Sequence, residues 1–210
     1  MKAGEPGGGD RNILDAMLRH PTPRRAYRHI RRVESRAIFN HSVRTFLYAF
    51  AAATRNGHLP DAESLFVACL FHDVGTVPAE DGMERFEVEG ADAASRFLAE
   101  QGWQQSRIAE VWQAIALHTS PGIAERFGGI TRLVRLGVLI DFGDRELIAA
   151  EVVRDAERGW ARLDIERTLS DAVIASALLR PTKAPPGSWP GALVEARLAN
   201  PTSPDINPAF

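Results

Sequence analysis

Residues 61–76 read DAESLFVACLFHDVGT, and this stretch decides the fold. Asp61 stands where a helix N-cap belongs, with Glu63 and Ser64 in the first turn. The run LFVACLF that follows is apolar on nearly every side, which predicts a central helix rather than a one-sided surface helix. Gly75 closes it. At its end come His72 and Asp73, between CLF and VG. An ionisable pair there is costly to bury unless it is paired or holds a metal.

The preceding helix is predicted from near Glu34, with Ile38, Phe39, Val43, Phe46, Leu47 and Phe50 at three- and four-residue steps, closed by Gly57 and Pro60. It carries His41. Upstream, Asp10 caps a short helix over 11–19, ended by Pro21 and Pro23. Downstream, a loop over 76–86 leads to a helix over EVEGADAASRFLAEQG. The next helix runs from Trp103 to about His118, with Ile108, Val111, Trp112, Ile115 and Ala116 as its stripe. After a short turn bracketed by Pro121 and Gly129, helices are expected over 130–142, 145–157 and 164–180. Ile165, Leu169, Val173 and Ala177 keep a four-residue step in the last. No run alternates with period two. The expected fold is an all-α bundle of about six to nine helices over 10–180. Residues 1–9 are expected to be disordered. Seven of the thirteen prolines fall after residue 180, so 181–210 read as an irregular tail, packed on the domain or partly mobile, with at most a helix at 191–199.

At 210 residues the chain can bury about 70 % of its unfolded surface, enough for one core. The single Cys69 excludes a disulfide framework. No run approaches a membrane span. The start, MKAGEPGGGD, has no apolar leader, so a cytoplasmic protein is expected. Net charge is −2, yet seven arginines and one acid, Glu34, lie between Arg19 and Arg36. That run is either an anion or nucleic-acid patch or a solvated face whose acidic partners lie elsewhere in the fold. The neutral whole favours the second, so no nucleic-acid or membrane partner is expected, only a small substrate and a homo-oligomer as an option.

Asp141 follows LVRLGVLI and is carried into the core by its own helix. A lone buried carboxylate would lose its charge; a cation removes that cost. His41, His72, Asp73 and Asp141, on three helices, are therefore expected to converge on one ion. Two imidazoles and two carboxylates suit a first-row divalent ion, zinc first, with iron, manganese or nickel as alternatives. Water on such an ion becomes acidic enough to act as a nucleophile. Arg44, three residues after His41 on the same helix face, is a candidate for a substrate phosphate contact, or an ion-pair residue.

FNHSVRTF, LFHDVGT and LIDFGD, in that order, resemble the H…HD…D signature of the HD-domain superfamily of metal-dependent hydrolases. NHSVR, CLFHDVGT, FEVEGA and AIALHTS, followed by a Leu-rich helix ending in Asp, resemble its cyanamide hydratase branch. The resemblance covers about 36–145, with 31 residues from His41 to His72, 46 from His72 to His118 and 68 from Asp73 to Asp141. It implies an HD-domain bundle with His41, His72, Asp73 and Asp141 as metal ligands. It also implies that His118 faces the open side of the metal, where it binds substrate, shuttles a proton or ligates a second ion. His118 and Asp73 are thus the catalytic candidates. Asn40 and Thr76 are implied to order water or substrate, and Thr76 and Glu87 to orient His72 or its loop. For these two, a hydroxyl at a helix end and an acid in a first turn are the structural alternatives. Asp141 is followed by Phe142, Gly143 and Asp144 where the hydratases continue with Asn and Gly, which makes Asp144 a rival ligand.

Three activities are consistent with these residues. One is hydration of a small nitrile-like molecule such as cyanamide, giving urea. Another is hydrolysis of a nucleotide or other phosphoester, which needs cations that the chain's two lysines, Lys2 and Lys183, do not place near the motifs. The last is a non-catalytic, metal-stabilised sensing module. A small pocket closed by Phe46, Phe50, Phe71 or Trp112 would favour the first; a cleft lined with arginines, the second.

Overall fold

The computed structural model describes residues 9–201 apart from 58 and 81, with side chains from residue 13 onward. Among them are eleven α-helices and no strand: α1 (Gly9–Arg19), α2 (Pro21–Val33), α3 (Arg36–Arg55), α4 (Ala62–Phe71), α5 (Phe86–Glu100), α6 (Gln105–Ala116), α7 (Ala124–Phe127), α8 (Gly129–Phe142), α9 (Ala150–Gly159), α10 (Ile165–Leu179) and α11 (Trp189–Ala199). The expected disorder over 1–9 lies outside the described residues except at Gly9, which opens α1.

The count exceeds the expected six to nine for identifiable reasons. Helix α2 falls where Pro21 and Pro23 are expected to end a helix. Both sit in its first turn, where proline's missing N–H is no loss and its fixed φ suits a helix. The helix allowed at 191–199 in the tail begins two residues earlier, at Trp189. Pro190 lies in the first turn of α11, Ser188 accepts a hydrogen bond from Gly191 N, and Trp189 and Leu193 are buried. They join Ala37, Ile38, Phe86, Ile165, Leu169, Val173 and Ile174 in a second apolar cluster. The segment up to Ala199 is therefore part of the packed structure.

Helix α4 is the buried axis. Every residue from Ser64 to Phe71 is out of solvent, and Asp61 caps it by accepting from Ser64 N. Helices α2, α3, α5, α6 and α8 surround it. Helix α3 is capped by Ser35 and buried on all sides from Ala37 to Ala49. Its closest neighbour is α8, and the approach depends on Gly137. A Cβ there would lie 2.3 Å from the Thr45 carbonyl oxygen, so only glycine lets the two backbones meet. Gly75 does the same for the turn after α4: its Cβ would fall 2.0 Å from the Phe86 carbonyl oxygen. The end of α4 is thereby pressed onto the start of α5. No described helix is long and apolar enough to cross a membrane.

Candidate metal centre

Three helix ends and one helix middle meet inside the bundle. His41 comes from the middle of α3, His72 and Asp73 from the end of α4, His118 from just beyond α6, and Asp141 from the last turn of α8. All five are buried.

The hydrogen bonds fix which nitrogens carry protons. His72 Nδ1 lies 2.7 Å from the Cys69 carbonyl oxygen, which can only accept, so Nδ1 donates and Nε2 is left with a lone pair. Burial, further helped by His118 and His41 and opposed by Asp73, lowers the His72 pKa to about 3, so the ring is neutral. His41 Nδ1 donates to Asp141 Oδ2 at 2.6 Å, so Nε2 is the nitrogen turned toward His72 and Asp73. The two Nε2 atoms stand 3.1 Å apart. Asp73 Oδ2 lies 3.3 Å from His72 Nε2 and 3.5 Å from His41 Nε2, buried and without a hydrogen-bond donor. Although burial acts to raise it, the surrounding histidines hold the Asp73 pKa below the usual carboxylate range.

Two imidazole nitrogens and a carboxylate oxygen thus converge within 4.8 Å of one another, an arrangement that a shared cation would hold together. The donors His41, His72 and Asp73 fit a divalent metal by position and by chemistry. His118 is oriented in the same way: Nδ1 donates to the Ile115 carbonyl at 2.7 Å, and Nε2 faces Asp73 Oδ1 at 3.6 Å. It therefore turns Nε2 toward Asp73 and the cluster.

Asp141 is placed differently from the expected fourth ligand. Oδ1 accepts from Arg44 Nε at 2.7 Å and from Arg162 Nη1 at 2.9 Å; Oδ2 accepts from Arg44 Nη2 at 2.7 Å and from His41 Nδ1. Both oxygens are occupied, and the carboxylate backs onto the far nitrogen of His41. Burial opposes its ionisation, but Arg44 and His41 hold its pKa well below the usual range. In this position Asp141 orients His41 and raises its basicity. The rival Asp144 is exposed at the turn after α8, away from the cluster.

The remaining candidates hold the cage together rather than line it. Arg44 has no exposed surface and spends its other donors on the carbonyls of Trp160 and Ala161, so it is not available to a substrate. Asn40 Nδ2 donates to the same Ala161 carbonyl. Together they fasten the segment that delivers Arg162. Thr76 Oγ1 donates to the Asp73 carbonyl, the helix-end role given as its structural alternative. Glu87 is buried and accepts from Arg85 and from Thr119, the neighbour of His118.

Other features were not anticipated. The rings next to the histidines are Phe142, 4.8 Å from His41, and Phe86, 5.6 Å from His118. Phe46 and Phe71 pack instead with Phe66 and Phe97, and Trp112 bonds Asp92 at the surface. Arg162 lies on a segment with no apolar pattern to mark it. Glu34 is buried with Oε1 unpartnered, while Oε2 accepts from Ser42 Oγ. Lys183, from the proline-rich segment, is buried against Glu89 at 2.6 Å.

A family model for the HD domain matches residues 38–177, two thirds of the chain. The chain belongs to the HD domain family, whose members are in general metal-dependent hydrolases. No curated protein gives a significant match.

Proposed function

We propose that the protein hydrates a small, neutral, nitrile-like molecule such as cyanamide, yielding urea. One observation carries this reading: the arginines nearest the centre are already spent. Arg44 and Arg162 both neutralise Asp141, and Arg162 also pairs with Glu166. Arg85 pairs with Glu87, and Arg135 with Glu125. Among the described residues a phosphoester would meet no uncommitted guanidinium there, whereas a neutral substrate needs none. The flanking rings of Phe86 and Phe142 and the full burial of the donors suit a small molecule. The resemblance of NHSVR, HDVGT and ALHTS to the cyanamide hydratase branch agrees.

A divalent ion held by His41, His72 and Asp73, zinc first among the options, would supply Lewis acidity and make water nucleophilic at neutral pH. The protein's own groups do the rest. Asp141 and the Cys69 carbonyl hold the two ligand imidazoles in the tautomer that presents Nε2. His118 Nε2, kept facing inward by the Ile115 carbonyl, takes a proton from the water and passes it to the nitrile nitrogen as the water oxygen bonds to carbon. The second hydrogen of water reaches nitrogen on tautomerisation, so one water and one cyanamide give one urea.

The test is to load the protein with zinc, manganese or iron and incubate it with cyanamide and, separately, with nucleotides. Urea formation dependent on metal and on His118 is expected. Release of phosphate without urea would replace this reading with phosphoester hydrolysis, and no turnover of either with metal retained would favour a sensing module.

A further inference from the structure

Helix α2 places Arg24, Arg28, Arg31 and Arg32 at steps of three and four residues, which brings them to one helix face. All four are exposed. With Leu18 and Tyr27 they line a groove of about 490 Å³. A merely solvated face would find its acids elsewhere in the fold. Among the described residues, none of these four side chains makes an ion pair or hydrogen bond. Surface arginines elsewhere do pair: Arg96 with Glu80, Arg107 with Asp61, Arg145 with Glu157, Arg197 with Asp171. The only acid in the basic run, Glu34, is buried and engaged with Ser42. Four unpaired like charges sharing one groove repel one another, a cost that an anion would relieve.

We propose that this groove binds the phosphate backbone of a nucleic acid strand. From Arg24 to Arg32 a helix rises about 12 Å. A nucleic acid strand presents a charge roughly every 3.4 Å of axis, so the face spans about three phosphates. Planar guanidiniums suit phosphate oxygens two at a time. Tyr27, half-buried with its ring against Phe39, adds an aromatic wall for a sugar or base. The exposed residues of α2 from Arg24 onward are arginines and His29, with no large apolar group to enter a lipid surface.

The test uses the full chain and a fluorescein-labelled 20-nucleotide single strand, with the matching duplex as a second probe, followed by anisotropy at 50 and 200 mM NaCl. Three phosphates predict a salt slope of about −2, a loss of roughly twentyfold across that range. Arg28→Gln combined with Arg31→Gln, which leaves Arg24 and Arg32, should weaken binding at least tenfold at 50 mM and flatten the slope to about −1.4 or shallower, with the helical circular dichroism unchanged. Absence of binding at 50 mM, or binding that the double variant leaves intact, overturns the proposal. So does equal competition by poly-glutamate, or binding to phosphatidylserine vesicles in preference to either oligonucleotide.

Discussion

Arg44 holds Asp141 at two points, Nε to Oδ1 and Nη2 to Oδ2, both at 2.7 Å, with neither side chain reaching solvent. The pair joins α3 to α8 behind the histidine cluster. Replacing Arg44 leaves a buried carboxylate short of its main partner, so Arg44→Met should cost about 3–5 kcal/mol. The lower end is expected because Arg162 remains. Urea unfolding checks this, and an unchanged midpoint would contradict it.

The same two helices are held at their spacing by Gly137. In Gly137→Ala the new methyl meets the Thr45 carbonyl oxygen, and α8 must move away from α3. Overpacking of this kind costs about 1–3 kcal/mol. Because Asp141 rides on α8 and His41 on α3, zinc affinity should fall with stability. A thermal melt and a zinc titration together test the link; a melt that shifts while affinity stays constant would break it.

Glu34 sets a pH dependence. Burial, the nearby charge of Asp73 and only partial relief from Ser42 raise its pKa well above the ordinary 4.5. The folded state therefore favours the neutral acid. Its contribution to stability is complete below about pH 4.5 and is lost as pH rises through the folded value. Glu34→Gln, neutral at every pH, should match the parent near pH 4 and surpass it increasingly at pH 6 and 8. Urea midpoints at the three values decide; a gap that is constant or narrows with pH counts against this account.

His118 faces the cluster without belonging to its three converging donors. His118→Ala should retain metal and lose turnover by about 10²–10⁴-fold, the usual range for a proton-transfer group. Loss of metal in this variant would make His118 a ligand instead.

Much of this arrangement is legible along the chain. His41, His72, Asp73 and Asp141 stand out because each interrupts an apolar helix, where an ionisable group is costly without a partner. The role of Asp141 is not legible: Arg44 and Arg162, which occupy it, lie 97 and 21 residues away, and only the folded chain brings them to it. Proline misleads at α2, because the residue that stops a helix in its interior also starts one at its first turn. The flanking rings could not be chosen from ten phenylalanines without knowing which helix face meets which.

Metal content tests the central claim most directly. The purified chain, loaded with zinc, manganese or iron in turn and then dialysed, should retain about one ion by elemental analysis. His72→Ala and Asp73→Ala should retain none, and Asp141→Asn should still bind with roughly 10–100-fold weaker affinity. A parent chain that holds none of the three metals, or ligand variants that hold as much as the parent, would contradict a cation shared by His41, His72 and Asp73.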